Sequence, residues 1–228
     1  MMNKPKHYSH FIFAAIFIAE LVAVFFHYKT LEFWIKPTIM LSILWFFIQY
    51  SNPKHPIFYW SVAAFGFSLI GDVLLLFSSN NELFFLTGIA AFLLSHLFYI
   101  VTFSLKNSLQ KSFLIQKPIY FILILLIGTT LYLLLYPHLE GILKIAVLLY
   151  SLAITGMLLM AVNRKNGVTA QSFSLVVWGA VLFLISDSLL AINRFWFEIP
   201  QSGILIMATY MLAQYLILQG LIVQTTKQ

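Results

Sequence analysis

Residues 69–77, LIGDVLLLF, set Asp72 inside a run that is otherwise hydrocarbon, and residues 184–192, LISDSLLAI, do the same with Asp187. Glu20 interrupts a third such run, FIFAAIFIAELVAVFF. Carboxyl groups inside a bilayer are expensive, so they face a bundle interior and serve proton transfer, cation binding or the bridging of helices. Two carboxyls in a low-dielectric layer can share one proton, one giving it up while the other stays ionised, which is the arrangement of acid/base catalysis. Bridging alone is the bland reading of any one of them; for Glu20 it is the favoured one, with His27 one helical face-turn above as partner. Other chemistries lack their residues. There is no cysteine, no second histidine at ligand spacing within any span, no Gly-x-Ser-x-Gly elbow and no phosphate-binding loop. A Gly-x-Gly-Asp protease motif would need glycine at 69, where the chain has leucine.

The elements that must position these groups are membrane spans. The 228 residues are 61% hydrophobic and 9% charged, with a mean hydropathy of +0.95. That balance excludes a soluble globular domain. Turn mixtures of Pro, Gly, Asn and Ser cut the chain into eight apolar segments, at about 8–27, 31–50, 57–78, 81–104, 117–136, 140–163, 172–193 and 202–224. Each is long enough to cross about 30 Å of hydrocarbon as a helix. The fold class is therefore an all-α bundle of eight transmembrane helices in one domain, 1–228. The first run is read as a span and not a signal peptide, because Glu20 breaks it and no small-residue cleavage site follows. The net charge of +6 is scattered over short loops, which points to topology and not to a nucleic-acid partner. Nine Lys and Arg fall on the side of the termini against four on the other, placing both termini in the cytoplasm. The linker 105–117 spaces Leu105, Leu109 and Phe113 four apart between lysines, as either an interfacial amphipathic segment or a solvated loop would. Sliding the chain by 115 residues lays Asp72 on Asp187 and suggests a four-plus-four repeat of equal orientation.

In the third span Ser61, Ser68, Asp72 and Ser79 share one helical face, which must look into the bundle. Counting inward from the outer turns at about 1.5 Å per residue places Glu20, Asp72, Tyr150, Asp187 and Tyr210 in one layer. Lys36 reaches that layer from above on its flexible stem. His96 falls about 12 Å deeper by the same count, apart from the aspartates, and with Tyr99 reads as a packing or hydrogen-bonding residue. A small proton-coupled transporter is the competing reading of the same carboxyls, and paired Gly/Pro interruptions would favour it; the spans carry only Pro37. A structural bundle without chemistry leaves the polar layer without a reason.

Lys36-Pro37, Gly71-Asp72, GIAAFLLSHLFYI (88–100), ISDSLLAINRF (185–195) and TYMLAQYLI (209–217), in that order over spans two to eight, resemble the YhhN-like membrane proteins, which include the lysoplasmalogenases. The resemblance implies an eight-helix enzyme that hydrolyses the vinyl ether of lysoplasmenylethanolamine or -choline to a fatty aldehyde and a glycerophospho-alcohol. It implies a lysophospholipid substrate, no cofactor or metal, and a place in the cytoplasmic membrane of a bacterium. The residues it carries over are Lys36, Asp72, His96, Asp187, Asn193, Tyr210 and Gln214. Vinyl ether hydrolysis protonates the β-carbon and traps the resulting oxocarbenium ion with water, as glycosidases handle their cation with two carboxyls. Asp72, followed by apolar Val73, is expected as the acid; Asp187, flanked by Ser186 and Ser188, is expected as the carboxylate, with Lys36 holding phosphate.

The charge bias yields a topological prediction. A reporter fused after Gln228 or within 106–116 should be cytoplasmic, and one near 79–81 should be exported; export of the carboxy-terminal reporter would overturn the orientation.

Overall fold

Residues 7–78, 81–105 and 112–226 are described by a computed structural model of the chain. The helices are α1 (His7–Phe25), α2 (Lys29–Tyr50), α3 (Phe58–Leu76), α4 (Glu82–Ser104), the single turn α5 (Phe113–Gln116), α6 (Pro118–Leu135), α7 (Leu143–Asn163), α8 (Ala170–Phe195) and α9 (Ser202–Thr226). All but α5 are long and apolar enough to cross a membrane. Their ends fall within three residues of the expected spans. Helix is the form that satisfies every backbone N–H and C=O inside its own segment, which hydrocarbon demands. Starts are set by local chemistry: Asn81 accepts the Leu83 N–H at 2.9 Å, Thr169 accepts the Ser172 N–H at 3.3 Å, and Pro118 opens α6. Pro37 lies inside α2 without ending it.

Seven spans close into a ring in the order α1, α2, α3, α4, α7, α8, α9, with α9 returning to α1. The fifth span, α6, stands outside against α7 and one end of α8. Phe13 of α1 stacks on Tyr215 of α9 at 4.3 Å, and His10 hydrogen-bonds the same Tyr215. Large apolar side chains such as Phe11, Trp34, Trp45, Tyr59 and Trp178 point outward, as a lipid-facing surface requires.

Two antiparallel hairpins carry the aspartates, and glycine lets their helices approach closely. In the α3–α4 pair a Cβ at Gly71 would meet the Phe92 ring at 2.6 Å, and one at Gly88 would meet Leu75 at 2.9 Å. In the α8–α9 pair a Cβ at Gly179 would stand 2.8 Å from the Ala213 carbonyl oxygen, and one at Gly220 3.1 Å from that of Ser172. Arg164, counted as a loop charge from sequence, is buried: its Nη2 donates to Ser172 Oγ at 3.0 Å and Gln224 Oε1 at 2.6 Å, and it lies over Phe103. Residues 106–111 of the amphipathic linker lie outside the described residues. Its end docks on α7, with Phe113 and Leu114 buried and Ser112 Oγ donating to Asn163 Oδ1 at 2.7 Å.

The hairpin contacts separate two glycines. Gly179→Ala must displace backbone and should destabilise the protein by about 1–3 kcal/mol, the range for overpacking. Gly66→Ala meets nothing within 4 Å and should be neutral or slightly stabilising. Thermal unfolding of the two purified variants in one detergent distinguishes them.

Candidate active site

Asp72 lies near the end of α3, where the Gly71 approach brings Phe92 of α4 against it. Its Oδ2 accepts the Tyr210 hydroxyl of α9 at 2.7 Å. Behind Tyr210 runs a chain of buried polar groups on three helices. Gln214 Nε2 donates to Ser68 Oγ at 2.9 Å and, at 3.4 Å, to Tyr210 Oη, while its Oε1 accepts the Tyr99 hydroxyl at 2.6 Å. Ser68 Oγ pairs with Ser95 Oγ at 2.8 Å, and Ser95 Oγ also donates to the Ala64 carbonyl. The third-span serine face expected from spacing is therefore real for Ser61, Ser68 and Asp72, all buried; Ser79 lies outside the described residues.

Asp187 of α8 belongs to a second group. Its Oδ2 accepts the Tyr150 hydroxyl of α7 at 2.6 Å, and His96 Nε2 of α4 stands 3.5 Å from the same oxygen. The His96 ring is fully buried, edge-on to Tyr150 at 5.2 Å and to Phe183 at 4.8 Å. The expectation that His96 sits apart from the aspartates is thus overturned. Depth counted from turns assumed level turns and upright helices. The α3–α4 register, Leu75 beside Gly88, Gly71 beside Phe92 and Ser68 beside Ser95, sets His96 only about five residues, roughly 7 Å, below Asp72. The imidazole then reaches sideways to Asp187.

The expected layer divides in two. Phe183 packs edge-on against both Tyr210, at 5.5 Å, and His96, and Phe92 packs on Phe183 and Tyr210, so aromatic rings separate the Asp72 group from the Asp187 group. The carboxyls remain close enough for each to act on the other's charge. On the Asp72 side, Lys36 lies near enough to act on Glu20 and Asp72, with its Nζ 4.0 Å from Glu32 Oε1. Glu20 is fully buried and neither of its oxygens has a hydrogen-bond partner. The expected His27 partner is not there; His27 sits in the α1–α2 turn at φ 55°. Asn193, six residues beyond Asp187, accepts the Ile199 N–H at 2.9 Å and so holds the α8–α9 connection.

A narrow cleft of about 50 Å³ lies between α4, α6, α7 and α8. Its walls are apolar, among them Phe85, Ile89, Leu135, Ile154 and Leu184, and Asp187 and Tyr150 are part of them. Asp187 is the one carboxyl on that lining; Asp72, Glu20 and Lys36 are not on it. Tyr150 and His96 both approach Oδ2, which leaves Oδ1 without a hydrogen bond among the described residues. Such a site sets a carboxyl among apolar walls. The sequence reading missed the cleft, Phe183 as divider, and Tyr99 and Ser95 as members of the network. Spacing along one helix carries no signal for contacts whose partners lie on others.

The YhhN family model matches residues 31–221. Lysoplasmalogenase TMEM86B of Sus scrofa is 37% identical over 150 residues, and lysoplasmalogenase TMEM86A of Homo sapiens is 32% identical over 154. These matches cover 66% of this chain and 58% and 60% of the two relatives, so the chain spans about three-fifths of their length. Lysoplasmalogenase TMEM86B of Mus musculus is 31% identical over 217 residues, covering 84% of this chain and 87% of the relative. No solved structure matches the chain significantly.

The network behind Asp72 makes a stability prediction. Gln214→Leu takes the acceptor from the buried Tyr99 hydroxyl and one of the two partners from Ser68, and should lower stability by about 1–3 kcal/mol. Denaturation in detergent measures it, and an unchanged midpoint would mean that water replaces the amide.

Proposed function

The chain belongs to the YhhN family, and from that premise we propose that it is a lysoplasmalogenase-type hydrolase, cleaving the vinyl ether of a lysophospholipid at Asp187. The observation that carries this reading is the apolar cleft whose lining includes the Asp187 carboxyl, one oxygen of which accepts no hydrogen bond among the described residues. A vinyl ether, R–CH=CH–O–R′, is attacked by a proton on the carbon beyond the one bound to oxygen. Asp187 gives that proton through Oδ1, forming R–CH2–CH=O⁺–R′, and the resulting carboxylate faces the cation it has made. Water adds to the cationic carbon and loses a proton back to Asp187. The hemiacetal then collapses, its hydroxyl proton leaving and the glycerol oxygen taking one up, to give R–CH2–CHO and the glycerophospho-alcohol. Net consumption is one water.

Tyr150 fixes the orientation of Asp187, and His96, beside the same Oδ2, is placed to carry protons to and from it. Asp72 exchanges roles with the sequence-based expectation. Only 2% exposed and off the cleft lining, it acts as a positioning residue through its charge on Asp187. The apolar walls suit the alkenyl chain and limit water to what the reaction consumes.

The test is aldehyde release by purified protein from lysoplasmalogen against its saturated ether analogue. Release from the first alone supports the reading; release from both, or from neither, refutes it. Asp187→Asn should lower turnover at least about a hundredfold with folding intact, the usual floor for losing a general acid. Asp72→Asn should lower kcat by about tenfold, equivalent to about 1.4 kcal/mol, leave KM unchanged and displace the pH profile. Equal loss in the two variants with an unmoved profile would instead favour direct participation by both.

A further inference from the structure

The outer, lipid-facing side of α6 carries a second groove, lined by Leu123, Leu126, Ile127, Thr130, Leu131 and Leu134 together with Ser188 of α8. Leu131 and Ser188 also line the inner cleft that contains Asp187. The two spaces thus share a wall one side chain thick, the seam between α6 and α8. On the described residues α6 is bonded to α7 and not to α8. Ser151 Oγ donates to the Gly128 carbonyl at 3.0 Å and the Tyr132 hydroxyl to the Lys144 carbonyl at 3.2 Å, both from or to α7. Ser188 Oγ instead turns back to its own helix, donating to the Leu184 carbonyl at 2.6 Å. Only Ile124, Gly128 and Leu135 of α6 are buried. At the far end the seam is clasped by the buried cluster Leu135, Leu139 and Val147, against which Leu131 of α6 and Ala191, Ile192 and Phe195 of α8 pack, and by His138 stacked on Trp196 at 5.6 Å.

These contacts define a seam tied at one end and unbonded from Leu131 inward. Asp187 stands eight residues, about 12 Å, from the Phe195 end of α8 and about 26 Å from its start. The carboxyl therefore lies on the side of the membrane that holds the α6–α7 turn. From Leu134 to Leu123 the groove runs about 16 Å inward along α6, the direction an alkyl chain takes from the interface toward the bilayer centre.

We propose that this groove is the binding site for the substrate's alkyl chain, and that the chain reaches Asp187 between Leu131 and Ser188 from the leaflet on the α6–α7 turn side. The occupant is a single-chain ether lipid, an identification that rests on the hydrolase reading. Its first carbons lie in the cleft while its tail stays in the groove, still touching lipid. Chain entry needs no passage through water, and the head group remains at the surface from which the lipid came.

The experiment is photolabelling of the native protein in nanodiscs with a saturated alkyl-ether lysolipid carrying a diazirine in mid-chain. The saturated analogue is not a vinyl ether, so labelling reads the groove whether or not the protein is a hydrolase. Adducts are expected within 123–134 and beside Ser188, reduced about tenfold or more by excess unlabelled ether lysolipid but not by diacyl lipid. Adducts there that excess lysolipid does not reduce, or competable adducts on other spans, would overturn the proposal. A second readout is Leu131→Trp, which narrows the seam. It should raise KM for a long-chain lysoplasmalogen about tenfold more than it raises KM for a short water-soluble alkenyl glyceryl ether. Equal loss on both substrates, or loss on neither, would place entry elsewhere. Absence of aldehyde from the unaltered protein would defeat the hydrolase reading alone, with the photolabelling pattern still deciding the groove.

Discussion

A carboxyl group in hydrocarbon must find its hydrogen bonds inside the protein, and two such groups organise this molecule. Each aspartate takes a tyrosine hydroxyl from another helix, Tyr210 for Asp72 and Tyr150 for Asp187. A charged or protonated carboxyl left without such a donor would carry a penalty of several kcal/mol. The bonds tie helices in two ways: Tyr210 joins α9 to α3 across the ring, and Tyr150 joins α7 to its ring neighbour α8.

Glycine makes those meetings close enough. Between hydrocarbon-facing helices there is no hydrophobic drive to associate, because lipid tails are as apolar as leucine. Association depends on dispersion contacts at short range, and these grow as small residues let backbones approach. Gly71 and Gly88 bring α4 against α3, and Gly179 and Gly220 bring α9 against α8. The aspartates sit beside these contacts, where the backbone is held most firmly. A site that must aim one oxygen at one carbon benefits from that rigidity.

The span outside the ring follows the opposite logic. Few of its side chains are buried, and its polar ties run to one neighbour. A lipid enzyme faces a substrate that is already dissolved in the solvent surrounding its spans. A helix anchored along one edge gives such a substrate a route that keeps the chain in hydrocarbon throughout. On the proposed reading, the ring holds the carboxyls and the loosely covered cleft admits the chain.

Much of this was legible in the residues. Eight apolar runs separated by turn mixtures specify eight helices, because length and hydropathy act locally and lipid leaves the backbone no alternative. The exceptional residues were legible too: Asp72, Asp187, Glu20 and Lys36 stand out against hydrocarbon, and the serine face of α3 follows from helical period. Pairing was not. Depth counted along single helices put His96 below the aspartates, whereas the α3–α4 register and a sideways imidazole bring it to Asp187. It also gave one polar layer where Phe92 and Phe183 divide two. Nor does any local pattern say that Asn193 holds a connection, that Arg164 is buried, or that Asp187 alone lines the cleft. Those facts arise from the rotation and register of helices against one another. Contacts summed over whole interfaces set that rotation, so only the assembled bundle decides which carboxyl meets the open space.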